Sequence, residues 1–397
     1  MPAVLLSACG EVPNVSVQRL SMNLTDSSAG FGLRLADRLL AEPGAGNVFI
    51  SPLSVTLMLS MAASAAHGDT QAAFLKTLGL DPSVDPSVQA RQTIDRLLQS
   101  DGSAQLEVAQ AVWAGQGLPL TPAYVAKLRS DYRAQIANLN FTSPDAPKVV
   151  NDWVDNATHH KIPNLVDSFD PSTVAFLVNA TYFHALWATE FQPEHDAVDF
   201  HTFSGATRSV PMMRRDESVT ELLTPGYVAE LLPYKGGRFS MVLLLPRKVL
   251  SPAEFSSFLS KSSWDQALAY LHNGVGPTLG GPCKPWEGSP DIHVDCRGTL
   301  VMPKFKLDYS AELLPHLVAM GMPVGDLTDL CPGCFLSRVV QKTYLEVGEK
   351  GTTAAAATGG AVATALRVPT VVDRPFALAL IDNATDAPLF LGVIGQL

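Results

Sequence analysis

The chain has 397 residues, of which 47% are hydrophobic and 17% are charged, with a formal net charge of −10. This acidic balance argues against partners that need a basic face, such as nucleic acid or heparin-like polyanions. No run of residues is long and apolar enough to span a membrane. The length would allow two or three domains, but no Pro/Gly/Ser-rich linker or charge run divides the chain, so we predict one large domain.

The first predicted elements are helices. Phe31, Leu35 and Leu39 recur at helical spacing and predict a helix with one buried stripe. Ser51 followed by Pro52 is a favourable helix start, because the hydroxyl can cap the first turn and proline suits the first helical position.

Apolar runs rich in β-forming residues dominate the later part of the chain. Residues 174–183 predict a central strand covered on both faces, and residues 241–245 predict another buried strand, ended by Pro246. Residues 376–381 and 388–394 predict two strands joined by a polar turn. Because helices come mostly first and strands mostly later, the order favours an α+β fold over an α/β fold.

The most informative segment lies near the C-terminus, after an alternating apolar run (339–347) that predicts a strand. Residues 349–358 contain one glycine, no proline and almost no bulk. Small side chains can enter a packed sheet without overpacking it. Alternate residues of such a strand share one face, and here they are Thr352, Ala354, Ala356 and Thr358. By composition alone, an Ala/Thr/Gly run is also typical of a linker or a solvent loop.

Four separated blocks, in order and at matching spacing, resemble the serpin family from about residue 29 to residue 395. They are Asn47–Ser54; Asn179–Phe183 with Trp187, Phe191 and Pro211–Met213; Glu349–Thr358; and Arg374–Phe376 with Leu389–Gly392. The resemblance implies an α+β fold with one large domain over residues 29–397, and we expect a bacterial member. It also implies a large central β-sheet, two smaller sheets, about eight or nine helices and an exposed reactive loop at about 349–373.

The resemblance implies a metastable suicide-substrate inhibitor of serine proteases that needs no cofactor. The protease would attack the loop as a substrate and form an acyl-enzyme, after which the cleaved loop would insert into the large sheet and drag the protease along. The alternative is a non-inhibitory serpin-fold binding or chaperone-like protein. Hinges of such proteins typically carry bulky or charged residues or proline, and this chain has none from Gly351 to Gly360, which favours the inhibitor.

The resemblance implies three groups of residues that control loop insertion. The hinge comprises Glu349, Gly351, Thr352, Ala354, Ala356 and Thr358, with Thr352 expected to be the first side chain buried on insertion. The shutter, where the sheet strands would part, comprises Ser51, Ser54, Asn179 and Gln341, the last standing where the family usually has histidine. The breach, at the top of the same sheet, comprises Trp187, Lys304 and Glu349, and we expect a salt bridge between Lys304 and Glu349.

Counting from the hinge, as the resemblance implies, places the reactive bond between Ala365 and Leu366, with Thr364 and Leu366 as neighbouring candidates for the scissile residue. Alanine suits a shallow specificity pocket, whereas it would leave the buried carboxylate of a deep trypsin-like pocket unpaired. Arg367 would suit a trypsin-like enzyme but lies beyond the expected position. We therefore predict an elastase-, subtilisin- or chymotrypsin-like target, held by a monomeric inhibitor in a covalent acyl complex.

No glycosaminoglycan partner is expected, although some serpins are accelerated by polyanions through a basic helix. The corresponding stretch here, residues 90–101, offers only Arg91 and Arg96 with Asp95 between them. An enzyme is not expected either, because the sequence contains no G-x-S-x-G, H-E-x-x-H, P-loop or G-x-G-x-x-G motif. The nine histidines are scattered, with His159 and His160 together in a predicted turn.

The N-terminus and the cysteines suggest export. Residues 6–9, Leu-Ser-Ala-Cys, match a bacterial lipobox in which Cys9 would be lipidated, but residues 1–5 are too short for a hydrophobic signal core, so a chance match is equally consistent. We expect residues 1–28 to be a signal remnant and tether, and the protein to be extracellular or in the cell envelope. The other four cysteines would form two disulfides, Cys283–Cys296 and Cys331–Cys334, or remain free thiols. The Cys331-x-x-Cys334 motif lacks a thioredoxin-like context and the further ligands that zinc needs.

Overall fold

The computed structural model describes residues 24–99, 102–275, 285–289, 292–352 and 368–397. The helices in these ranges are α1 (Leu24–Leu40), α2 (Pro52–Ala63), α3 (Gly68–Leu78), α4 (Pro86–Leu97), α5 (Pro122–Ser130), α6 (Ala146–Ala157), α7 (Pro252–Phe258), α8 (Lys261–Val275) and α9 (Leu314–Ala319). The strands are β1 (Asn47–Ile50), β2 (Ala104–Gly115), β3 (Gln135–Leu139), β4 (Ala175–Leu186), β5 (Gln192–Pro193), β6 (Val198–His201), β7 (Thr207–Val210), β8 (Met212–Leu223), β9 (Tyr227–Pro233), β10 (Phe239–Pro246), β11 (Trp286–Ser289), β12 (Ile292–Pro303), β13 (Phe305–Glu312), β14 (Val340–Gly348), β15 (Gly351–Thr352), β16 (Thr370–Val371), β17 (Phe376–Asp382) and β18 (Ala387–Ile394).

The strands form three sheets. The largest has ten strands in the order β1-β18-β17-β10-β9-β8-β12-β11, with β16 beside β12 and β5 beside β8. The second has six strands in the order β13-β14-β15-β4-β2-β3, and the third pairs β6 with β7. The predicted α+β class and three-sheet architecture are confirmed. The sheet that contains the start of the hinge, however, is the six-stranded one rather than the largest by strand count.

The two predicted helices are explained by burial and capping. Phe31, Leu35 and Leu39 are buried on one stripe of α1, as predicted. Ser51 caps α2 by accepting a hydrogen bond from the backbone N–H of Ser54 at 3.3 Å. All twelve residues of α2 are buried, so this helix lies in the core and packs against both β18 and β4.

The apolar strands pack mainly as predicted, with one exception. Every residue of β10, β17 and β18 is buried. Residues 174–183 do form a strand, β4, but it is not buried on both faces: its residues alternate between buried and half-buried, and Val174 lies exposed before the strand begins. On the face covered by α6, Phe176 and Val178 are buried with Val150 and Val154 in a separate apolar cluster. On the opposite face, Leu177, Asn179 and Thr181 are only half-buried.

No helix within the described ranges combines the length and the apolarity needed to cross a bilayer.

Candidate functional site

The start of the hinge is already paired within the six-stranded sheet. Thr352 on β15 lies opposite Val347 of β14 and opposite Ala185 of β4, and only 2% of it is exposed. We expected this residue to be the first side chain buried on insertion, and in the structure it is already buried. In the described part of the sheet no direct ladder joins β14 to β4, so a gap admits the small Thr352 side chain between them.

Gly351 is required by a close approach of two backbones. A Cβ atom at this position would lie 2.2 Å from the carbonyl oxygen of Ala185 and 2.7 Å from the Cα atom of Leu186. Both atoms belong to β4 and cannot rotate away as a flexible side chain could. The glycine at the pivot of the hinge therefore allows β15 to lie against β4.

The breach residues Lys304 and Trp187 make three contacts with the start of the hinge. The Nζ atom of Lys304 lies 2.9 Å from Oε1 of Glu349, in the salt bridge expected from the sequence. Burial is the largest single influence and would raise the pKa of Glu349. The hydrogen bond and charge of Lys304, together with a backbone hydrogen bond, outweigh it, so the pKa lies below its ordinary value. The indole of Trp187 donates to the carbonyl of Gly348 at 2.9 Å, and its backbone N–H donates to the carbonyl of Lys350 at 2.9 Å.

Tyr234 connects the hinge to the core and was not predicted from the sequence. Its hydroxyl is hydrogen-bonded to the Thr352 hydroxyl at 2.8 Å, and its ring stacks on Trp187 at 4.4 Å between centroids. Both aromatic residues are fully buried. The Arg215 guanidinium lies over Phe191 and Trp187, at 4.2 and 5.6 Å from their ring centroids. The hinge therefore rests on an aromatic stack that is covered by a buried cation.

A buried charged cluster links this stack to the strand that follows the reactive loop. Glu221 on β8 lies directly opposite Glu230 on β9, and both are buried. Two charges in such a pair would repel strongly, and this repulsion together with burial favours the protonated form of Glu230. Thr370 on β16 donates a hydrogen bond to Glu221.

The protonation states of this cluster follow from burial. Burial and the neighbouring Glu221 raise the pKa of Glu230 well above its ordinary value, although Arg215 opposes the shift. Burial lowers the pKa of Arg215 to about 9, opposed by Glu230, so the guanidinium stays charged at neutral pH. The sequence does contain one indication of this buried cluster: Glu230 is a charged residue inside the otherwise apolar strand Tyr227–Pro233.

The four shutter residues come together beneath the six-stranded sheet. The side chain of Gln341 on β14 makes two reciprocal bonds with the backbone of Ser51: its Oε1 accepts from the N–H at 3.2 Å, and its Nε2 donates to the carbonyl at 3.1 Å. The Ser54 hydroxyl donates to Oδ1 of Asn179 on β4. The N-terminal turn of α2 therefore contacts both strands that flank the gap.

Asn179 keeps one hydrogen-bonding group without a partner. Its Oδ1 also accepts from the Thr181 hydroxyl at 3.1 Å, whereas its Nδ2 is buried and makes no hydrogen bond to any described residue. An unpaired buried donor costs about 1–3 kcal/mol. The shutter therefore contains a donor that an additional strand in the gap could pair.

The turn after α6 crosses the outer side of the same gap. The His159 ring lies 4.4 Å from the Tyr182 ring of β4, and its Nε2 is 2.9 Å from Oε1 of Glu107 on β2. Lys161 lies over the Tyr344 ring of β14, at 5.2 Å from its centroid. A small cavity beneath this turn is lined by Thr181, Phe183, Leu345 and Thr352, among others. This cavity is where residues following β15 would enter the sheet.

Several predicted residues lie outside the described ranges: Ala354, Ala356, Thr358, Ala365, Leu366, Cys9 and Cys283. Among the other cysteines, Cys331 and Cys334 are joined by a disulfide in the structure. No group of three or more residues suited to hold a metal ion occurs in the described part of the chain.

Three comparisons identify the family. The profile of the family described as Serpin (serine protease inhibitor) matches residues 26–396. Leukocyte elastase inhibitor A of Mus musculus is 31% identical over 93% of this chain and 98% of its own length. Serpin A3-6 of Bos taurus is 31% identical over 94% of this chain and 88% of its own length. These relatives are animal proteins, so they give no support to the expected bacterial origin.

Solved structures share the fold. A thyroxine-binding globulin in complex with thyroxine superposes with a TM-score of 0.81, at 24% identity, over 94% of this chain and 99% of that one. The thermophilic serpin tengpin in its native state gives a TM-score of 0.78 at 23% identity, over 94% of each chain. With the family profile covering nearly the whole chain and the hinge seated between β14 and β4, this protein belongs to the serpin family of serine protease inhibitors.

Proposed function

We propose that this protein inhibits serine proteases of the elastase, subtilisin or chymotrypsin type by a suicide-substrate mechanism. The protease would cleave the reactive loop, and the loop would then insert between β4 and β14 and carry the acylated protease with it. The observation that carries the proposal is β15, which is paired antiparallel with both neighbours in the gap.

The register of β15 predicts where each further hinge residue would lie. Continuing the pairing of Thr352 with Ala185 and Val347 places Ala354 opposite Phe183 and Leu345. The same register places Ala356 opposite Thr181 and Thr343. Both inward-facing positions would therefore receive the small alanine side chain, which a packed interior tolerates.

Thr358 would arrive at the shutter. Six residues beyond Thr352, the register places it between Asn179 on β4 and Gln341 on β14. Its hydroxyl could then accept a hydrogen bond from the unpartnered Nδ2 of Asn179. Insertion would thus satisfy a donor that is unpaired before cleavage, in addition to forming on the order of ten to twenty backbone hydrogen bonds at about 1 kcal/mol each.

The register also predicts where the protease would finish. Ala365 would come opposite Ser172, three residues beyond the Ala175 end of β4. The acylated residue would therefore leave the sheet at the end opposite β15. A protease attached there would be held against the far end of the inhibitor body.

Incubation with elastase, subtilisin, chymotrypsin and trypsin tests the proposal. We expect an SDS-stable complex with one of the first three enzymes. The C-terminal fragment released from that complex should begin at Leu366. A fragment that begins at Val368, with trypsin as the trapped enzyme, would contradict the assigned bond. If every protease cleaved the loop without trapping, the non-inhibitory binding or chaperone-like alternative would be favoured.

We further propose that the protein is an exported monomer that acts outside the cell or in the cell envelope. Its disulfides would be Cys283–Cys296 and Cys331–Cys334, and in a bacterial host a lipidated Cys9 would tether it to the membrane. We propose no glycosaminoglycan partner. Arg91 in α4 lies 3.3 Å from Asp131, and Arg133 pairs with Asp95 of the same helix. These ion pairs reduce the positive charge available on this face.

A further inference from the structure

Asparagines in this chain are concentrated in one modification motif. Six of the eleven asparagines begin an Asn-x-Ser/Thr sequence in which x is not proline. By chance, the share of asparagines followed in this way would equal the fraction of serine and threonine in the chain, which is much lower. This motif is the acceptor for N-linked glycosylation and requires a surface position. Four of the six lie wholly within the described residues: Asn140, Asn156, Asn179 and Asn383.

Burial excludes two of these four from carrying a glycan in the folded protein. Asn383 is 3% exposed, and its Nδ2 donates to the carbonyl of Gly237 and to the Ser240 hydroxyl at 2.8 and 2.9 Å. Asn179 lies in the shutter with its Nδ2 buried. An oligosaccharide on either nitrogen would have to replace packed core atoms.

Helical hydrogen bonds make Asn156 a poor acceptor although it is exposed. Its Nδ2 donates to the carbonyl of Asp152 at 2.7 Å. The hydroxyl of its motif partner, Thr158, is buried, donates to the carbonyl of Val154 at 2.8 Å and accepts from the N–H of Ile162. Both groups of the motif are therefore engaged in ending α6.

Asn140 has the opposite arrangement. It lies between β3 and α6, and both Asn140 and Thr142 are exposed while Phe141 between them is buried against Phe169. The Asn140 Oδ1 accepts from the N–H of Thr142 at 3.2 Å and from its hydroxyl at 2.8 Å. No described residue accepts a hydrogen bond from its Nδ2. This side-chain turn brings the motif hydroxyl to the amide and points the nitrogen to solvent.

We propose that Asn140 is an N-glycosylation site. The Nδ2 atom would attack the anomeric carbon of a polyprenyl-diphosphate-linked oligosaccharide: the N–C bond forms, the bond from that carbon to the diphosphate oxygen breaks, the amide loses one proton, and the polyprenyl diphosphate leaves with the electron pair. The inference requires export through a compartment that holds an oligosaccharyltransferase, but it does not depend on the proposed inhibition.

A glycan on Asn140 would not cover the reactive loop, because Asn140 and the hinge lie at opposite ends of the six-stranded sheet. Ala104 at one end of β2 pairs with Ala185 beside the hinge, and Gly115 at the other end pairs with Leu139, the residue before Asn140. Eleven residue steps along β2 separate the two ends, about 35 Å of strand. A glycan on Asn140 would therefore lie at the end of the sheet remote from β15.

The test is to express the full chain behind a cleavable secretion signal in mammalian cells and to map its glycans. We expect the tryptic peptide Ala134–Lys148 to be glycosylated, and peptide-N-glycosidase to convert Asn140 to aspartate. Asn140→Asp, which keeps the Oδ1 acceptor of the turn, and Thr142→Ala should each abolish this glycan, whereas Asn156→Gln should leave it in place.

The wild-type peptide map decides the result, so the proposal does not depend on the folding of a variant. If the chain is retained inside the cell, the same peptide is mapped after translation with endoplasmic-reticulum microsomes. Recovery of Ala134–Lys148 without glycan, or a glycan on Asn156 instead, would overturn the proposal. Inhibitory activity is not the readout, so failure here is distinguishable from failure of the proposed function.

Discussion

Replacing Thr352 with arginine provides the sharpest test of loop insertion. The Thr352 side chain is 2% exposed and contacts the hydroxyl of Tyr234, which is itself fully buried. An arginine here would place an unpaired charge in the core at a cost of several kcal/mol. We therefore expect this side chain to leave the sheet in the uncleaved protein, so that the cost arises when the loop inserts. If even about 3 kcal/mol of this cost appears in the transition state for insertion, insertion slows by roughly a hundredfold. Cleavage should then outpace trapping, and the variant should become a substrate.

Thr353→Arg is the matched control. It makes the same chemical change one residue later, at a position that the alternation of strand side chains would direct to the outer face, opposite His184 and Glu346 in the continued register. The assay compares SDS-stable complex with free cleaved inhibitor at equal protease concentration. We expect Thr353→Arg to retain most of the complex and Thr352→Arg to lose it. Unchanged trapping by Thr352→Arg, or equal loss in both variants, would refute insertion in this register.

Three further predictions concern the native state. Glu349→Lys removes the salt bridge to Lys304, which is worth about 0–1 kcal/mol at a partly exposed site, and places two cations together. We therefore expect the variant to polymerise faster than the wild type on warming, as measured by size-exclusion chromatography. Equal monomer lifetimes of the two proteins would contradict a role of the salt bridge in keeping the sheet closed. Gly351→Ala should expel β15 from the sheet and accelerate amide hydrogen exchange at residues 348–352, so unchanged exchange would show that the backbone accommodates the extra carbon. Because folding raises the pKa of Glu230, its stabilising protonation is complete below the unfolded pKa and is lost as pH rises towards the folded pKa. The thermal midpoint at a fixed scan rate should therefore fall from pH 5 to pH 8 in the wild type and fall less in Glu230→Gln, which cannot ionise. Parallel pH profiles of the two proteins would contradict a raised pKa for Glu230.

Local sequence patterns were sufficient for most individual elements. The stripe of α1, the cap and first proline of α2, and the apolar strands β10, β17 and β18 each depend on neighbouring residues and their periodicity. The burial of β4 was overestimated because an apolar run does not show how completely elements distant in the chain cover each face, and Leu177, Asn179 and Thr181 are only half-buried. Tyr234 and Glu221 were missed because their importance comes from partners far away in the chain.

The sequence by itself determined that the hinge is small and lacks proline, so that it can enter a sheet, and the family resemblance identified which residues would control its entry. Only the tertiary structure decided that the start of the hinge already lies in the sheet, with Thr352 between Ala185 and Val347. The physical reason is that insertion depends on the width of the gap between β4 and β14. These strands are separated by more than 150 residues of sequence, and their spacing is set by the packing of α2, Trp187 and Tyr234 around them.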